Sequence, residues 1–166
     1  MTDPRATILD AHAIDALVAR ARSAPRRRQN LNLHAQLSDP IQRFLNAGEP
    51  GSYVRPHRHQ AERWELFTVL RGRMDVFLFA DDGTMTQRVV LDGGSGSAIE
   101  IAGGTWHSLA IIAAGTVALE VKPGPYVAAS DKEFAAWAPA EDAPDASRYL
   151  DWLTGAASGQ RWSPGA

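Results

Sequence analysis

The chain has 166 residues, of which 45% are hydrophobic and 22% are charged. This size and composition fit one ordinary globular domain and exclude a wholly disordered or membrane-embedded chain. Because 17 Lys and Arg stand against 19 Asp and Glu, the net charge of −2 gives no general attraction for nucleic acid. Without cysteine the chain has no disulfide and no thiolate ligand, so histidines and carboxylates must hold any metal.

The N-terminal segment predicts a short helix. Apolar residues recur at near-helical spacing from Ile8 to Val18, which indicates an amphipathic helix over about residues 10–22. The segment does not have a basic start followed by an apolar run, and no stretch reaches the roughly 18 apolar residues of a membrane span. We therefore expect a cytoplasmic protein with no membrane partner.

From Leu31 onward, short runs rich in β-branched and aromatic residues alternate with Gly, Pro and Asp clusters. Many short strands with frequent turn signals predict an all-β, antiparallel sandwich or barrel. The expected strands lie near 30–35, 41–47, 52–57, 64–71, 74–80, 86–91, 97–101, 106–112 and 116–122.

The remainder after Tyr126 is rich in Ala, Pro and Asp, and Ser147 to Leu153 is expected to form a short helix that packs back on the strands. The last dozen residues read as a flexible tail in which Trp162 could dock. We divide the chain into an N-terminal helix with a basic linker (1–29), a β-domain (30–127) and a C-terminal extension (128–166).

Three histidines of the strand region indicate a metal site. His57 and His59 are two apart, and residues two apart on a strand point to the same face, so their imidazoles can chelate one ion. His107 follows a Gly-rich turn and shares a strand face with Leu109 and Ile111. By contrast, His12 on the predicted helix reads as an ordinary surface residue.

Glu65 is the preferred fourth ligand, with Glu62 as a competitor. Alternation places Glu65 with the apolar Phe67 and Val69, whereas Glu62 lies in a polar turn. A set of three imidazoles and one carboxylate suits one divalent transition metal, namely Fe, Mn, Ni, Co, Cu or Zn, and leaves coordination positions open for water and substrate.

The spacing of these residues resembles the two cupin motifs. The first block runs from Gly51 through His57-Arg58-His59 and Glu65 to Gly72, and the second from Gly96 through Ala102-Gly103-Gly104 to His107. The sequence departs from the common cupin pattern in three places. Five residues separate His59 from Glu65, Ala102 replaces a proline, and Ile111 replaces an asparagine. The resemblance implies a cupin-type antiparallel β-barrel, the double-stranded β-helix or jelly roll, with the four residues as metal ligands.

A narrower resemblance, over about Arg26 to Glu141, is to the WbuC-family cupin metalloproteins. It is carried by NLNLH, QRFLNA, PGSYVRPHRH, WELFTVLRG, GTWHSL, EVKPGPY and DKEFAAWAPAE. Members of that family accompany bacterial surface-polysaccharide gene sets, which implies a sugar-derived or sugar-nucleotide ligand but no particular reaction.

Strand alternation also suggests which polar residues share the pocket. Tyr53 and Arg55 would lie on the face of His57, where the Arg55 guanidinium could bind an anionic ligand. Pairing of Arg55 with a structural carboxylate such as Glu49 is the alternative.

Weaker candidates are His34, Glu120 and Lys122. Glu120 would be a general base near the metal if Ala118 and Glu120 face inward, but Val117 and Leu119 fit the core equally well. We expect Glu120 and His34 in catalysis, and Arg55, Tyr53 and Lys122 in substrate binding.

Two classes of function remain open. The first is a metalloenzyme that isomerises, epimerises or eliminates on a small sugar-derived, sugar-nucleotide or carboxylate substrate, or, with Fe(II), a dioxygenase. The second is a non-catalytic binding or sensing module, because a superfold does not fix function. In either class we expect a small, anionic ligand, and we expect a homodimer.

Overall fold

The computed structural model describes residues 6–129 and 131–164. Its helices are α1 (Ala11–Ser23) and α2 (Ala146–Gly155). The strands are β1 (Arg28–Asn32), β2 (Ile41–Gly48), β3 (His57–Arg58), β4 (Glu65–Arg71), β5 (Arg73–Phe79), β6 (Met85–Asp92), β7 (Ala98–Ile101), β8 (Trp106–Ile111), β9 (Thr116–Pro123) and β10 (Glu133–Phe134). They form two antiparallel five-stranded sheets, which we call sheet A (order β1-β2-β9-β4-β7) and sheet B (order β10-β3-β8-β5-β6).

Apolar side chains from both sheets meet in one core. Phe67, Val69 and Ala118 of sheet A pack with Met74 and Val76 of sheet B. Burying apolar area at about 25 cal/mol per Å² holds the sheets face to face. The all-β architecture expected from the strand pattern is therefore confirmed.

Each outer face of the sandwich is covered by one helix. Leu17 and Val18 of α1 pack on Leu45 and Val117 of sheet A. On the other side, Tyr149, Leu150 and Leu153 of α2 pack with Phe77, Phe79 and Trp106 of sheet B. The Trp162 ring lies 5.5 Å from the Tyr149 ring, so the segment after α2 returns to this cluster. Neither helix has the length and hydropathy that a membrane-spanning helix needs.

The strand β9 is buried on both faces, which explains why its pattern was ambiguous. Val117 and Leu119 face α1, whereas Ala118 faces the core between the sheets. By alternation Glu120 and Lys122 share the inward face of Ala118. The inward alternative for Glu120 is the one that the structure shows.

The predicted strand over 52–57 is wrong. Only Tyr53 forms an isolated bridge, to Ala110, before the two-residue β3 begins at His57. Pro56 has no backbone N–H to donate to a ladder, which limits pairing in this segment. The short strand β10, which pairs with β3 through Phe134 and His57, was not predicted.

Candidate metal centre

Four ligand-bearing side chains converge between the sheets. Cross-strand pairing of β3 with β8 sets His57 directly opposite His107. His59 follows β3 by one residue, and Glu65 opens β4 in the facing sheet. All four are buried, and one ligand atom from each lies within 4.8 Å of the others. Bonds of about 2.1 Å to one ion would place ligand atoms about 3 to 4 Å apart, so the spacing fits a single metal.

Backbone carbonyls orient all three imidazoles. Nδ1 of His57 lies 2.9 Å from the Arg55 carbonyl oxygen, and Nδ1 of His107 lies 2.9 Å from that of Thr105. Nδ1 of His59 contacts the Asp131 carbonyl oxygen. Since a carbonyl only accepts, each Nδ1 carries a proton, and each Nε2 is left with a lone pair for a metal.

Those lone pairs face a carboxylate that also only accepts. Nε2 of His59 lies 2.8 Å from Oε1 of Glu65, and Nε2 of His107 lies 3.0 Å from Oε2 of Glu65. Among the described residues, both nitrogens and Glu65 Oε2 are buried with no hydrogen-bond partner. Buried acceptors without donors are unfavourable, and a cation among them removes the penalty. The residues present therefore fit a metal ion.

The charge states agree with this donor set. Burial lowers the pKa of His57 well below its usual range, with Lys132 and His107 adding to the shift, so the ring is neutral. Burial raises the pKa of Glu65, but positive charge on the side of His107 and His59, where a metal ion would lie, outweighs burial and holds that pKa well below its usual range. The site thus presents neutral imidazole and ionised carboxylate, the forms that bind metals.

A second layer of charge adjoins the four ligands. Lys122 Nζ lies 3.5 Å from Glu65 Oε1, 3.2 Å from Asp131 Oδ2 and 3.9 Å from Glu120 Oε1. Burial lowers the pKa of Lys122, but the three carboxyl groups outweigh burial, so its pKa lies above the usual value. Lys122 is therefore a buried cation that balances this acidic cluster.

Glu120 is the carboxyl group with the opposite behaviour. Burial, reinforced by the charge of Glu65, raises the pKa of Glu120 to about 8. Its Oε2 accepts a hydrogen bond of 2.7 Å from the Asn46 amide. A carboxyl group whose pKa lies near neutrality, beside a candidate metal, is suited to proton transfer.

The central cavity lies between the sheets and has a volume of about 760 Å³. One wall, from sheet A, carries polar side chains: Asn30, Asn32, Asn46, Glu120 and Lys122. The opposite wall is apolar apart from the histidines: Val54, Met74, Leu109 and Ile111. His34 also borders this cavity.

Tyr53 and Arg55 are placed elsewhere and are not among the described residues that line the central cavity. Tyr53 belongs to the core beneath α2, and its hydroxyl donates to the Pro139 carbonyl oxygen at 2.9 Å. Arg55 donates to the Ala135 carbonyl oxygen at 2.7 Å and lies 5.5 Å from the Phe134 ring centroid. The expectation that alternation brings both into the pocket is wrong, because residues 52–56 are not a regular strand.

Sequence reasoning did not identify Asn46 as a neighbour of the site, and it did not assign Asp131 a contact with the ligands. Asn46 lies in β2, and Asp131 lies in a loop far along the chain from the ligands. Neither residue lies at a defined spacing from the ligands in a sequence motif. For Asn46, an amide at an inward position among apolar neighbours was the available signal.

Solved structures show the same fold at low sequence identity. The capsular polysaccharide assembling protein CapF from Staphylococcus aureus aligns over 58% of this chain, with 19% identity and a TM-score of 0.52. KdgF from Halomonas sp. aligns over 64% of the chain (16% identity, TM-score 0.50), and an oxalate oxidase in complex with glycolate aligns over 68% (16% identity, TM-score 0.52). These proteins are cupins, so the cupin fold predicted from the two motifs is confirmed.

The coverage of these proteins differs. The chain spans 27% of the CapF chain and 57% of the oxalate oxidase chain, but 86% of the KdgF chain. No curated protein sequence matches the chain.

A family model matches residues 9–91, which include α1, His57, His59 and Glu65 but not His107. This is half of the chain. The chain has the cupin fold and a site able to hold a metal, and it belongs to the family described as a domain of unknown function, DUF6016.

Proposed function

We propose that the protein binds one divalent transition metal through His57, His59, Glu65 and His107 and is a metalloenzyme for a small oxygen-rich substrate. The observation that carries the proposal is the meeting of unpartnered acceptor atoms from Glu65, His59 and His107 inside the sandwich. Three nitrogens and one oxygen suit Fe, Mn, Ni, Co, Cu or Zn. When bound, such an ion supplies Lewis acidity to a substrate oxygen.

The substrate classes that we propose are sugar-derived compounds, sugar nucleotides and carboxylates. The fold similarity to CapF, a capsular polysaccharide assembling protein, supports a role in surface-polysaccharide chemistry, as does the resemblance to WbuC-family cupins. A cavity of about 760 Å³ lies in the range of small-molecule sites. Isomerisation, epimerisation and elimination all need a group that moves a proton beside the bound substrate.

Glu120 is our candidate for that group. Its raised pKa lets the carboxyl group give and take a proton near neutral pH. Asn46 donates to Oε2, so a proton held by Glu120 resides on Oε1, the oxygen that faces Lys122. His34 lines the same cavity and is our second candidate for a catalytic residue. Lys122, which also lines it, is our candidate for substrate binding.

The buried, near-neutral Glu120 favours an enzyme over a binding or sensing module. A module that only binds a ligand gains nothing from an ionisable group whose burial destabilises its charged form. An Fe(II) dioxygenase would use the same four ligands, so the identity of the bound metal separates that reaction from the others.

Elemental analysis tests the metal assignment. Wild-type protein should carry about one transition-metal ion per chain, and His107→Ala should carry much less, because one of four ligands is lost. His12→Ala is the matched control, since His12 is an exposed histidine of α1. Equal metal in His107→Ala and His12→Ala would reject the proposed site.

Turnover is tested by mass spectrometry of metal-loaded protein incubated with sugar nucleotides, sugars and small carboxylates. Glu120→Gln serves as the comparison, because it keeps the size of the side chain and removes the titrating proton. Conversion by wild type that Glu120→Gln abolishes supports the enzyme. Conversion at equal rates would remove Glu120 from the reaction.

A further inference from the structure

Amide side chains form a row across the inner face of sheet A. Asn30 of β1 pairs with Asn46 of β2, and Asn46 pairs in turn with Ala118 of β9. Two residues further along each strand, Asn32 lies opposite Phe44, and Phe44 lies opposite Glu120. Because residues two apart share a face, the three asparagines lead from the open edge at β1 to Glu120 beside the candidate metal site.

These amides retain unused hydrogen-bonding groups. The Asn30 amide nitrogen donates to the side-chain oxygen Oδ1 of Asn32 at 2.7 Å, and the Asn46 amide nitrogen donates to Glu120 Oε2 at 2.7 Å. In these bonds Asn46 uses its amide nitrogen and Asn32 uses its side-chain carbonyl oxygen, which leaves the other group of each side chain for a ligand or water. An amide has both a donor and an acceptor. The row therefore offers both kinds of group to a ligand in the central cavity.

His34, two residues beyond Asn32, adds a buried imidazole nitrogen. Its Nδ1 lies against the Arg43 backbone, 3.1 Å from the nitrogen and 2.9 Å from the carbonyl oxygen. Nε2 is therefore the ring nitrogen left for a ligand, as donor or acceptor according to the tautomer. His34 is 7% exposed, and among the described residues its Nε2 has no partner. An unpaired buried polar atom beside a cavity indicates a ligand or water.

The wall opposite the amide row has a different character. His107, Leu109 and Ile111 share one face of β8, and all three line the cavity. A ligand in this space thus meets apolar carbon on the sheet B side, and amide and imidazole groups beside the rings of Phe44 and Phe67 on the sheet A side. A ring with hydroxyl groups satisfies both walls, because its carbon face is apolar and its hydroxyls donate and accept.

We propose that Asn30, Asn32, Asn46 and His34 form a subsite for the hydroxyl groups of a polyhydroxylated acid, whose carboxylate lies toward the metal site. This inference rests on the proposed function and narrows its substrate class. We expect the carboxylate to lie toward the metal site because of charge. A divalent ion together with Lys122 and Lys132 carries more positive charge than Glu65, Glu120 and Asp131 carry negative charge. A two-carbon acid would leave the amide row without contacts.

Calorimetric titration with D-glucuronate and cyclohexanecarboxylate tests the subsite. The two acids share a six-membered ring and a carboxylate, but only the first has hydroxyls, so their ratio of affinities isolates hydroxyl recognition. Metal-loaded wild type should bind D-glucuronate at least tenfold more tightly. Each hydrogen bond lost should reduce this preference about two- to tenfold.

The variant for this test is Asn30→Ala combined with Asn32→Ala, both of them exposed positions on the edge strand β1. Gln87→Ala on β6 is the matched control, because Gln87 is an exposed amide outside the cavity. The double variant should lose at least fourfold in preference with unchanged metal content, and Gln87→Ala should keep the wild-type preference.

Three results would overturn the subsite: equal affinity of wild type for the two acids, no binding of either, or an unchanged preference in the double variant. Metal content, measured on every sample, separates these failures from failure of the proposed function. A wild type that holds no metal rejects the metal site. A loaded wild type without hydroxyl preference rejects only the subsite.

Discussion

His107 Nε2 lies 3.0 Å from Glu65 Oε2, and neither atom has a hydrogen-bond partner among the described residues. The two residues come from different sheets, since β8 lies in sheet B and β4 in sheet A. A cation between them would link the sheets as well as satisfy both atoms. This contact therefore joins metal binding to the stability of the fold.

Metal should stabilise the protein against unfolding. At a free metal concentration of 100 times the dissociation constant, mass action adds about 2.7 kcal/mol to the free energy of unfolding, provided that the unfolded chain does not bind. Thermal unfolding with metal and with chelator measures the difference. His107→Ala should show no such difference, and equal melting temperatures for wild type in both conditions would contradict a tight site.

Glu65→Gln should separate metal binding from stability. The variant loses the anionic ligand, so metal content should fall. Without metal, the new amide can donate to a neighbouring Nε2, and the apoprotein should be at least as stable as wild-type apoprotein. Elemental analysis and denaturant unfolding measure the two effects. Glu62→Gln, at an exposed position, should retain metal, and loss of metal there would reopen the choice between the two carboxylates.

Glu120 should make the metal-free protein less stable as pH rises. Its pKa is about 8 when folded, against an ordinary value of 4.5, so between these pH values the folded state holds a proton that the unfolded state has lost. The free energy of unfolding then falls by up to about 1.4 kcal/mol per pH unit from this group. Glu120→Gln lacks the proton, so its stability relative to wild type should increase from pH 5 to pH 8. Denaturant unfolding in chelator, at several pH values, checks this; parallel curves would show that burial does not raise the pKa.

Lys122→Met should destabilise the protein by about 3 to 5 kcal/mol, because removal of one partner leaves buried carboxylates without their cation. Lys122 Nζ lies 3.2 Å from Asp131 Oδ2. Adding Asp131→Asn removes one of the uncompensated charges, so the double variant should recover part of the loss. Denaturant unfolding of Lys122→Met, Asp131→Asn and the double variant tests the coupling. A double variant whose loss of stability equals the sum of the two single losses would refute it.

Gly103→Ala should disturb both stability and metal binding. A Cβ at this position would collide with the carbonyl oxygens of Gln60 and Ala61, in the turn that follows His59. We expect a loss of about 1 to 3 kcal/mol and a weaker metal affinity, because the turns beside His59 and His107 must separate. Gly155→Ala, in α2, where a Cβ meets no atom within 4 Å, should not lower stability and should leave the metal affinity unchanged. Unfolding and metal titration compare the two variants, and an unchanged Gly103→Ala would show that the turns are not tightly packed.

The sequence by itself determined the features that depend on local repetition. Alternating apolar residues defined most of the strands, and the helix predicted over 10–22 is observed as α1. The two-residue spacing of His57 and His59, together with the position of His107 after a turn, was sufficient to identify residues that meet in space. Local geometry fixes the relative directions of such side chains before any tertiary contact forms.

Tertiary structure alone decided which other polar groups reach the metal site. Tyr53 and Arg55 are near His57 in sequence but lie outside the cavity, because the chain around Pro56 is irregular. Asp131, more than seventy residues after His57, contacts His59 and Lys122. Glu120 has its place because β9 packs on α1 with one face and on the opposite sheet with the other. Contacts between distant segments depend on how whole sheets pack, and a period of two residues does not encode that packing.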